Sequence, residues 1–161
     1  MVLRVSIEEA IARGWVKPGM TEKSTSQNTQ KRSQRKNEKE GEEQALVVEQ
    51  FNRLCPDYAH LLIHIPNGGS RKNTFEGWRL KKQGVKPGVS DLFLPVAKGG
   101  YFGLWIEFKA EPPFDANVSE SQLQWIASMQ NQGYQADVCR GVKEALDRLL
   151  KYTELPSTNV R

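Results

Sequence analysis

The sequence predicts an α/β protein in which a small mixed β-sheet is flanked by helices. Short apolar runs alternate along the chain with segments whose apolar residues recur at helical spacing. The run over residues 104–109 is apolar on both faces, which is typical of a buried strand. A second apolar run, residues 90–96, is joined to it by a segment with two adjacent glycines, so the two runs are expected to pair as a hairpin.

The globular unit is expected to begin with a helix over residues 42–54. Val47 and Phe51 are among the apolar residues that recur there at helical spacing, and Pro56 ends the pattern. A short strand follows over residues 60–65 and stops at a proline and two glycines. Residues 74–83 then predict a helix with an exposed basic side, which a glycine-containing loop connects to the hairpin.

Beyond the hairpin, the pattern predicts another helix, a strand and a last helix. Ser119 is placed to cap a helix that runs to about Gln132 and stops at Gly133. Residues 134–139 predict a strand, and residues 142–152 predict the final helix. The elements of the globular unit therefore follow in the order α, β, α, β, β, α, β, α.

The first 40 residues differ in composition from the rest. Ser6 and Glu9 form a capping-box pattern for a short helix over residues 7–13, closed by Gly14. Residues 17–40 are polar, nearly lack apolar side chains and hold seven basic groups against three acidic ones. Because such a segment cannot bury a core, it is expected to be disordered.

The chain is thus expected to have four parts. They are a short N-terminal helix (1–16), a basic disordered linker (17–40), a globular domain (41–155) and a C-terminal tail (156–161). The short helix is expected to be a tethered element or only a cap at the start of the chain.

Composition argues against a membrane or secreted protein. No apolar stretch approaches the roughly 18 residues of a membrane span, and charged residues interrupt the first fifteen positions. Cys55 and Cys139 are isolated and lack the spacing of metal ligands, so both are interpreted as reduced core thiols. The chain is therefore expected in the cytoplasm, and membranes are not expected among its partners.

Asp91, Glu107 and Lys109 are the candidate chemical group. Glu107 and Lys109 point to the same face of the strand because side chains at i and i+2 do so. In the expected hairpin, Asp91 lies opposite them. Two carboxylates beside a lysine at the end of an apolar sheet are typical of a hard-metal site suited to phosphodiester hydrolysis. The alternative is an ordinary surface Glu-x-Lys pair, which the apolar surroundings disfavour.

A second basic segment lies next to this group in the sequence. Residues 71–86 hold six basic side chains against one acidic side chain. Such a cluster attracts phosphate backbones, although a solvated helix face is the alternative. The candidate contacts to nucleic acid in this segment are Arg71, Lys72, Lys81 and Lys82.

The chain resembles the VRR-NUC domains of the PD-(D/E)XK nuclease superfamily, a restriction-endonuclease-like fold, over roughly residues 42–153. The residues that carry the resemblance, in chain order, are His64-x-Pro66-Asn67-Gly68-Gly69-x-Arg71, Leu80-Lys81-x-x-Gly84-Val85-x-x-Gly88-Val89-x-Asp91-Leu92, Gly103-Leu104-x-Ile106-Glu107-x-Lys109, Gln122-x-x-Trp125 and Gly133-Tyr134. Ser90 stands where the superfamily pattern has proline, which supplies no ligand.

The resemblance implies a divalent metal, Mg²⁺ or Mn²⁺, held by Asp91 and Glu107 with help from the Phe108 carbonyl. It also implies that Lys109 orients or activates the attacking water, or stabilises charge on the phosphate. Residues of this kind match the ligand preferences of Mg²⁺.

Four further residues acquire roles through the same resemblance. Glu43 is chosen over Glu42 as the glutamate of the first helix, although the helix dipole also favours acidic residues there. Gln122 resembles the glutamine that steadies the site. His64 and Asn67 are expected at the edge of the site, in a loop that contacts nucleic acid, although a structural role is the ordinary reading of a lone histidine.

The resemblance implies a DNA endonuclease selective for branched DNA such as four-way junctions. It further implies a homodimer acting in recombination, repair or phage replication, in a bacterial or phage-infected cell and associated with the nucleoid. The alternative is a catalytically silent nucleic-acid-binding module that recruits partners through its basic N-terminal segment.

Overall fold

A computed structural model of the protein describes residues 12–14, 27–66 and 74–159. Five helices and four strands lie within these ranges. In chain order they are α1 Gln27–Leu54, α2 Pro56–Ala59, β1 Ile63–His64, α3 Thr74–Lys82, β2 Leu92–Leu94, β3 Leu104–Lys109, α4 Glu120–Asn131, β4 Gln135–Arg140 and α5 Gly141–Glu154. Within these ranges, no helix is both long and apolar enough to cross a membrane.

The four strands form one mixed sheet in the order β1-β2-β3-β4. The first three strands are antiparallel neighbours, whereas β3 and β4 are parallel and are connected through α4. Helices cover both faces, so the predicted fold class, a mixed α/β core with flanking helices, is confirmed.

The two faces of the sheet carry two apolar layers. α1 and α5 cover one face, where Phe51, Phe108 and Tyr152 are almost fully buried. α4 covers the other face, where Trp105 and Ile126 belong to the second layer. All six residues of β3 are buried between these layers, as the apolar run predicted. Any charged side chain on β3 is therefore held away from bulk water.

The hairpin register confirms the predicted juxtaposition. Leu92 pairs with Ile106 in the antiparallel ladder of β2 and β3. The residue before Leu92 is Asp91, and the residue after Ile106 is Glu107, so the two carboxylates lie opposite each other at the same end of the sheet.

α1 extends farther towards the N-terminus than the sequence predicted. It begins at Gln27, so the prediction of disorder is wrong for residues 27–40, while residues 17–26 and most of the short helix 7–13 lie outside the described residues. Residues 27–40 contain neither proline nor glycine and are rich in good helix formers. Lys39 also pairs with Glu43 one turn later, at 3.6 Å. A polar segment can thus be helical when it continues a helix that packs on the core.

Other elements also differ from the predicted bounds. Pro56 opens the short helix α2 as well as ending α1, because proline is favoured in the first turn of a helix. The strand expected over residues 60–65 is reduced to the two residues of β1, since it pairs only with the short strand β2. These differences leave the predicted order of the sheet strands along the chain unchanged.

Candidate active site

Asp91, just before β2, is held by backbone hydrogen bonds from β3 on one side and from the residue after β1 on the other. Its Oδ2 accepts a hydrogen bond of 3.0 Å from the backbone N–H of Phe108. Its own carbonyl accepts a hydrogen bond of 2.8 Å from the N–H of Ile65, just after β1. The carboxylate is therefore fixed at the point where the three antiparallel strands β1, β2 and β3 come together.

Glu107 is fully buried, and its two carboxylate oxygens differ in their contacts. Oε1 accepts a 2.6 Å hydrogen bond from Lys109 Nζ and another from the side-chain amide of Gln122. Oε2 is buried without a hydrogen-bond partner among the described residues. A buried acceptor in this state costs about 1–3 kcal/mol, and more when charged, unless a cation or a proton meets it.

Both carboxyl groups of the site have a raised pKa, mainly because they are buried. Burial, and then the negative charge of Asp91, raise the pKa of Glu107 to about 8. Burial also raises the pKa of Asp91, although Lys109 and the Phe108 N–H oppose this rise. Glu107 therefore binds a proton or another cation more readily than an exposed glutamate does.

Lys109 is buried next to Glu107, and its ammonium is surrounded by oxygen atoms. Nζ donates to Glu107 Oε1 and, at 2.9 Å, to the Phe108 carbonyl, and it lies 3.7 Å from Glu40 Oε1. Burial alone would lower the pKa of Lys109, but the charges of Glu107 and Glu40 raise it above its ordinary value. Lys109 is therefore a fixed cation at neutral pH, which favours a charge-stabilising role over that of a base.

Gln122 connects the start of α4 to Glu107. Its backbone N–H donates to the Ser119 hydroxyl at 3.3 Å, and its Oε1 accepts from the Ser119 N–H at 2.8 Å, which completes a capping box. Its Nε2 donates to Glu107 Oε1. One side chain thus caps the helix and orients the buried carboxylate.

Gly88 brings the loop before Asp91 against the first turn of α4. Its φ is +80°, and a Cβ built on it would lie 2.3 Å from the Ser121 carbonyl oxygen. A contact that close leaves no room for a side chain. The two backbones that carry Asp91 and Gln122 therefore pack directly against each other.

The glutamates of α1 take two different positions. Glu43, the residue chosen from the sequence, is buried, and its Oε2 accepts a 2.9 Å hydrogen bond from the backbone N–H of Glu111. Glu40 is the α1 carboxylate beside Lys109, and burial raises its pKa above the ordinary value. The sequence interpretation missed Glu40 because it lay in the expected linker. Its position three residues before Glu43, on the same helix face, was the available signal.

The candidate nucleic-acid contacts are only partly described. His64 lies on β1 opposite Leu92, with its side chain exposed and near enough to Asp91 to act on it electrostatically. Lys81 and Lys82 are exposed on α3. Asn67, Arg71 and Lys72 lie outside the described residues.

The residues present fit a divalent metal. The two carboxylates of Asp91 and Glu107 and the Phe108 carbonyl could supply oxygen ligands, and Mg²⁺ commonly takes one or two carboxylates and keeps several waters. The orphaned Glu107 Oε2 is the observation that favours a cation there. Among the described residues, no group of three or more His, Cys, Asp or Glu side chains is arranged to hold a metal. A site here would therefore rely on few protein ligands.

Comparison with known proteins agrees with this geometry. Residues 20–143 match the family model of the VRR-NUC domain. A solved structure named "VRR_NUC domain protein" is 26% identical to the chain and superposes with a TM-score of 0.64. The match covers 74% of this chain and 91% of that one. No curated protein matches the chain.

Proposed function

Because this chain belongs to the VRR-NUC family, whose domains are nuclease-like, we propose that it is a metal-dependent DNA endonuclease. The observation that carries the proposal is the meeting of Asp91, Glu107 and Lys109 at one end of the sheet. Glu107 Oε2, which is buried without a hydrogen-bond partner among the described residues, supports a role in binding a cation. The reaction is hydrolysis of a phosphodiester bond.

Asp91 and Glu107, with the Phe108 carbonyl, would hold Mg²⁺ or Mn²⁺. When bound, the cation lowers the pKa of water and offsets charge on the phosphate. Lys109 keeps its positive charge next to the carboxylates, where it can stabilise negative charge that develops on the phosphate oxygens. Gln122 holds Glu107 in one orientation, so that the oxygen without a partner stays directed at the site.

We further propose that the substrate is branched DNA and that the enzyme acts as a homodimer. A twofold dimer presents two sites in a symmetric arrangement, which matches paired cuts on a four-way junction. The chain has no evident base-reading motif, so recognition through shape and backbone is expected. Lys81 and Lys82, which are exposed, would contact phosphates. Recombination, repair or phage replication would supply such substrates.

The test is cleavage of a labelled four-way junction beside linear duplex and single-stranded DNA, each with Mg²⁺ or Mn²⁺. Asp91→Ala and Lys109→Ala should each lose about 100-fold or more in rate, since each removes a charge at the reacting centre. Lys143→Ala is the matched control. Lys143 is an exposed lysine on α5, and it forms an ion pair with Asp147 one turn later on the same helix. The control variant should cleave at the wild-type rate.

The outcomes separate the proposal from a binding module. Paired symmetric cuts that both site variants lose would support a junction-resolving nuclease. Cuts on the linear controls alone would support a nuclease and overturn the branched substrate. DNA binding without cleavage, and without heat in a calorimetric titration with Mg²⁺, would overturn the nuclease and favour the catalytically silent module.

A further inference from the structure

The end of α3 and the loop after it, residues 78–90, form a basic segment that lacks acidic side chains. Residues 78–90 contain four cations and no Asp or Glu; the cations are Arg79, Lys81, Lys82 and Lys86. All four are exposed. Such a charge distribution attracts a polyanion through counterion release. It does not by itself identify which part of the polyanion is held.

Trp78 adds an aromatic surface to this segment. It is 52% exposed, whereas Trp105 is 8% exposed and packs in the core. Large aromatic side chains stabilise a fold most when they are buried. A half-exposed tryptophan therefore contributes less to the stability of the fold than a buried one. Lys82 Nζ lies 4.1 Å from the centre of the Trp78 ring. A cation thus lies against an aromatic ring that is still half accessible.

This segment is attached to the candidate active site. The loop from Gln83 to Ser90 leads directly from α3 to Asp91. Within it, the backbone of Gly88 packs on the first turn of α4, which presents Gln122 to Glu107. The basic segment is therefore continuous in sequence with the loop that ends at Asp91, and that loop packs on the helix turn that carries Gln122.

We propose that Trp78 stacks on an unpaired nucleobase of DNA, while Lys82 and its basic neighbours bind the adjacent phosphates. Stacking needs an accessible base face, which single-stranded segments and branch points offer and an intact duplex does not. The proposal deepens the proposed function, on which it rests for the choice of DNA as ligand. It makes unpaired bases next to the cut site the feature that selects the substrate.

The test is DNA binding in EDTA, where no cleavage occurs, measured by fluorescence anisotropy. The probe is a forked duplex with a single-stranded arm, and a matched series replaces one nucleotide of that arm at a time by an abasic site. Wild-type protein should bind the fork more tightly than one abasic fork by about 5- to 150-fold, the range expected for one stacked base. The abasic site removes the base and keeps the phosphate.

Trp78→Ala should weaken binding to the intact fork by the same factor and should no longer respond to the abasic site. Trp78→Phe should restore part of both effects because it keeps an aromatic face. Lys82→Ala should lower the salt dependence of binding by about one ion, whereas Trp78→Ala should leave that dependence unchanged. Tyr101→Ala is the control, since Tyr101 is 40% exposed at the other end of the hairpin. It should bind like the wild type.

Equal binding of the intact and all abasic forks by wild-type protein would overturn the proposal. So would an unchanged response to the abasic site in Trp78→Ala protein whose melting temperature matches the wild type. If Trp78→Ala protein fails to fold, Trp78→Phe and the wild-type abasic series still decide. Failure of the nuclease proposal is seen separately, as absence of cleavage of every DNA with Mg²⁺ or Mn²⁺, because the binding experiment contains no metal.

Discussion

Glu40 and Glu43 lie one helical turn apart on α1 but contact different parts of the site. Glu40 faces the Lys109 ammonium, whereas Glu43 accepts a hydrogen bond from the backbone that follows β3. The first contact acts on a charge of the candidate active site. The second holds the chain beyond it in place.

These contacts predict that substitution of Glu40 mainly lowers the cleavage rate, whereas substitution of Glu43 mainly lowers stability. Glu40→Gln should lower the cleavage rate by about 10-fold or more with little change in stability, because it removes a charge that orients Lys109. Glu43→Ala should lower the free energy of unfolding by about 1–3 kcal/mol, since it leaves the Glu111 N–H without its acceptor. The measurements are cleavage rate at saturating DNA and urea unfolding. A large rate loss in Glu43→Gln with none in Glu40→Gln would contradict the assignment.

The raised pKa of Glu107 predicts that the stability of the metal-free protein depends on pH. This pKa is raised from 4.5 to about 8, so between these values the folded chain holds a proton that the unfolded chain has released. The free energy of unfolding should therefore fall as pH rises from about 5 to 8, by a few kcal/mol at most. Glu107→Gln has no proton to lose at this position. Its stability relative to the wild type should increase over the same range.

Urea unfolding in EDTA at pH 5, 6.5 and 8 measures this difference. Asp91 and Glu40 also have raised pKa values and interact with Glu107, so the difference between the two profiles measures the titration of Glu107 together with its coupling to these neighbours. Parallel pH profiles for the two proteins would show that Glu107 is not protonated in the folded chain.

At this scale the sequence predicted the pairing of Asp91 with Glu107 because strand periodicity and hairpin register fix it. The Gln122 contact followed only from the resemblance, since a glutamine on the first turn of a helix has no pattern of its own. Glu40 was missed for another reason. The start of a polar helix depends on what it docks against, and that partner is more than 60 residues away in the chain.

At the scale of elements, the loop before β2 and the first turn of α4 act as one unit. Gly88→Ala must move one backbone away from the other, because its Cβ would lie 2.3 Å from Ser121 O. Gln122 then loses its position against Glu107. We expect the cleavage rate to fall by about 10- to 100-fold, as for other residues that orient a metal ligand.

A double-mutant cycle tests whether Gly88 acts through Gln122. If it does, Gly88→Ala combined with Gln122→Ala should cleave no more slowly than the slower single variant, because the two share one effect. Gly84→Ala is the control. Gly84 also has a positive φ, +92°, but a Cβ there meets nothing within 4 Å, so only backbone strain is added. Additive losses in the double variant would show that Gly88 acts independently of Gln122.

The elements differ in how far the sequence predicted them. β3 and α4 were predicted well because each combines a strong apolar pattern with a clear end signal, as in the Ser119 capping box. β1 is shorter than predicted because an apolar run becomes a strand only where a neighbour can pair with it. α2 was not predicted, since Pro56 signals both the end of one helix and the start of the next.

At the scale of the whole molecule, the described site contacts are made by residues from Lys39 to Gln122. Removal of residues 1–26 should therefore leave the rate at saturating DNA within about threefold of the wild type. Removal of residues 1–40 should lower both the rate and the melting temperature, because it deletes Glu40 and the first half of α1. Equal rates for the two truncations would show that the extension of α1 has no part in the site.

The contacts of the site close loops of very different lengths. Asp91 and Phe108 are separated by 17 positions, and Glu107 and Gln122 by 15, whereas Glu43 and Glu111 are separated by 68. A fourfold longer loop adds only about 1.2 kcal/mol to the entropy cost of closure, so docking of the distant helix α1 costs little extra free energy. Its effect is on kinetics, because non-local contacts form later than local ones. We therefore expect a folding order in which the hairpin and α4 assemble the carboxylates first and α1 docks last.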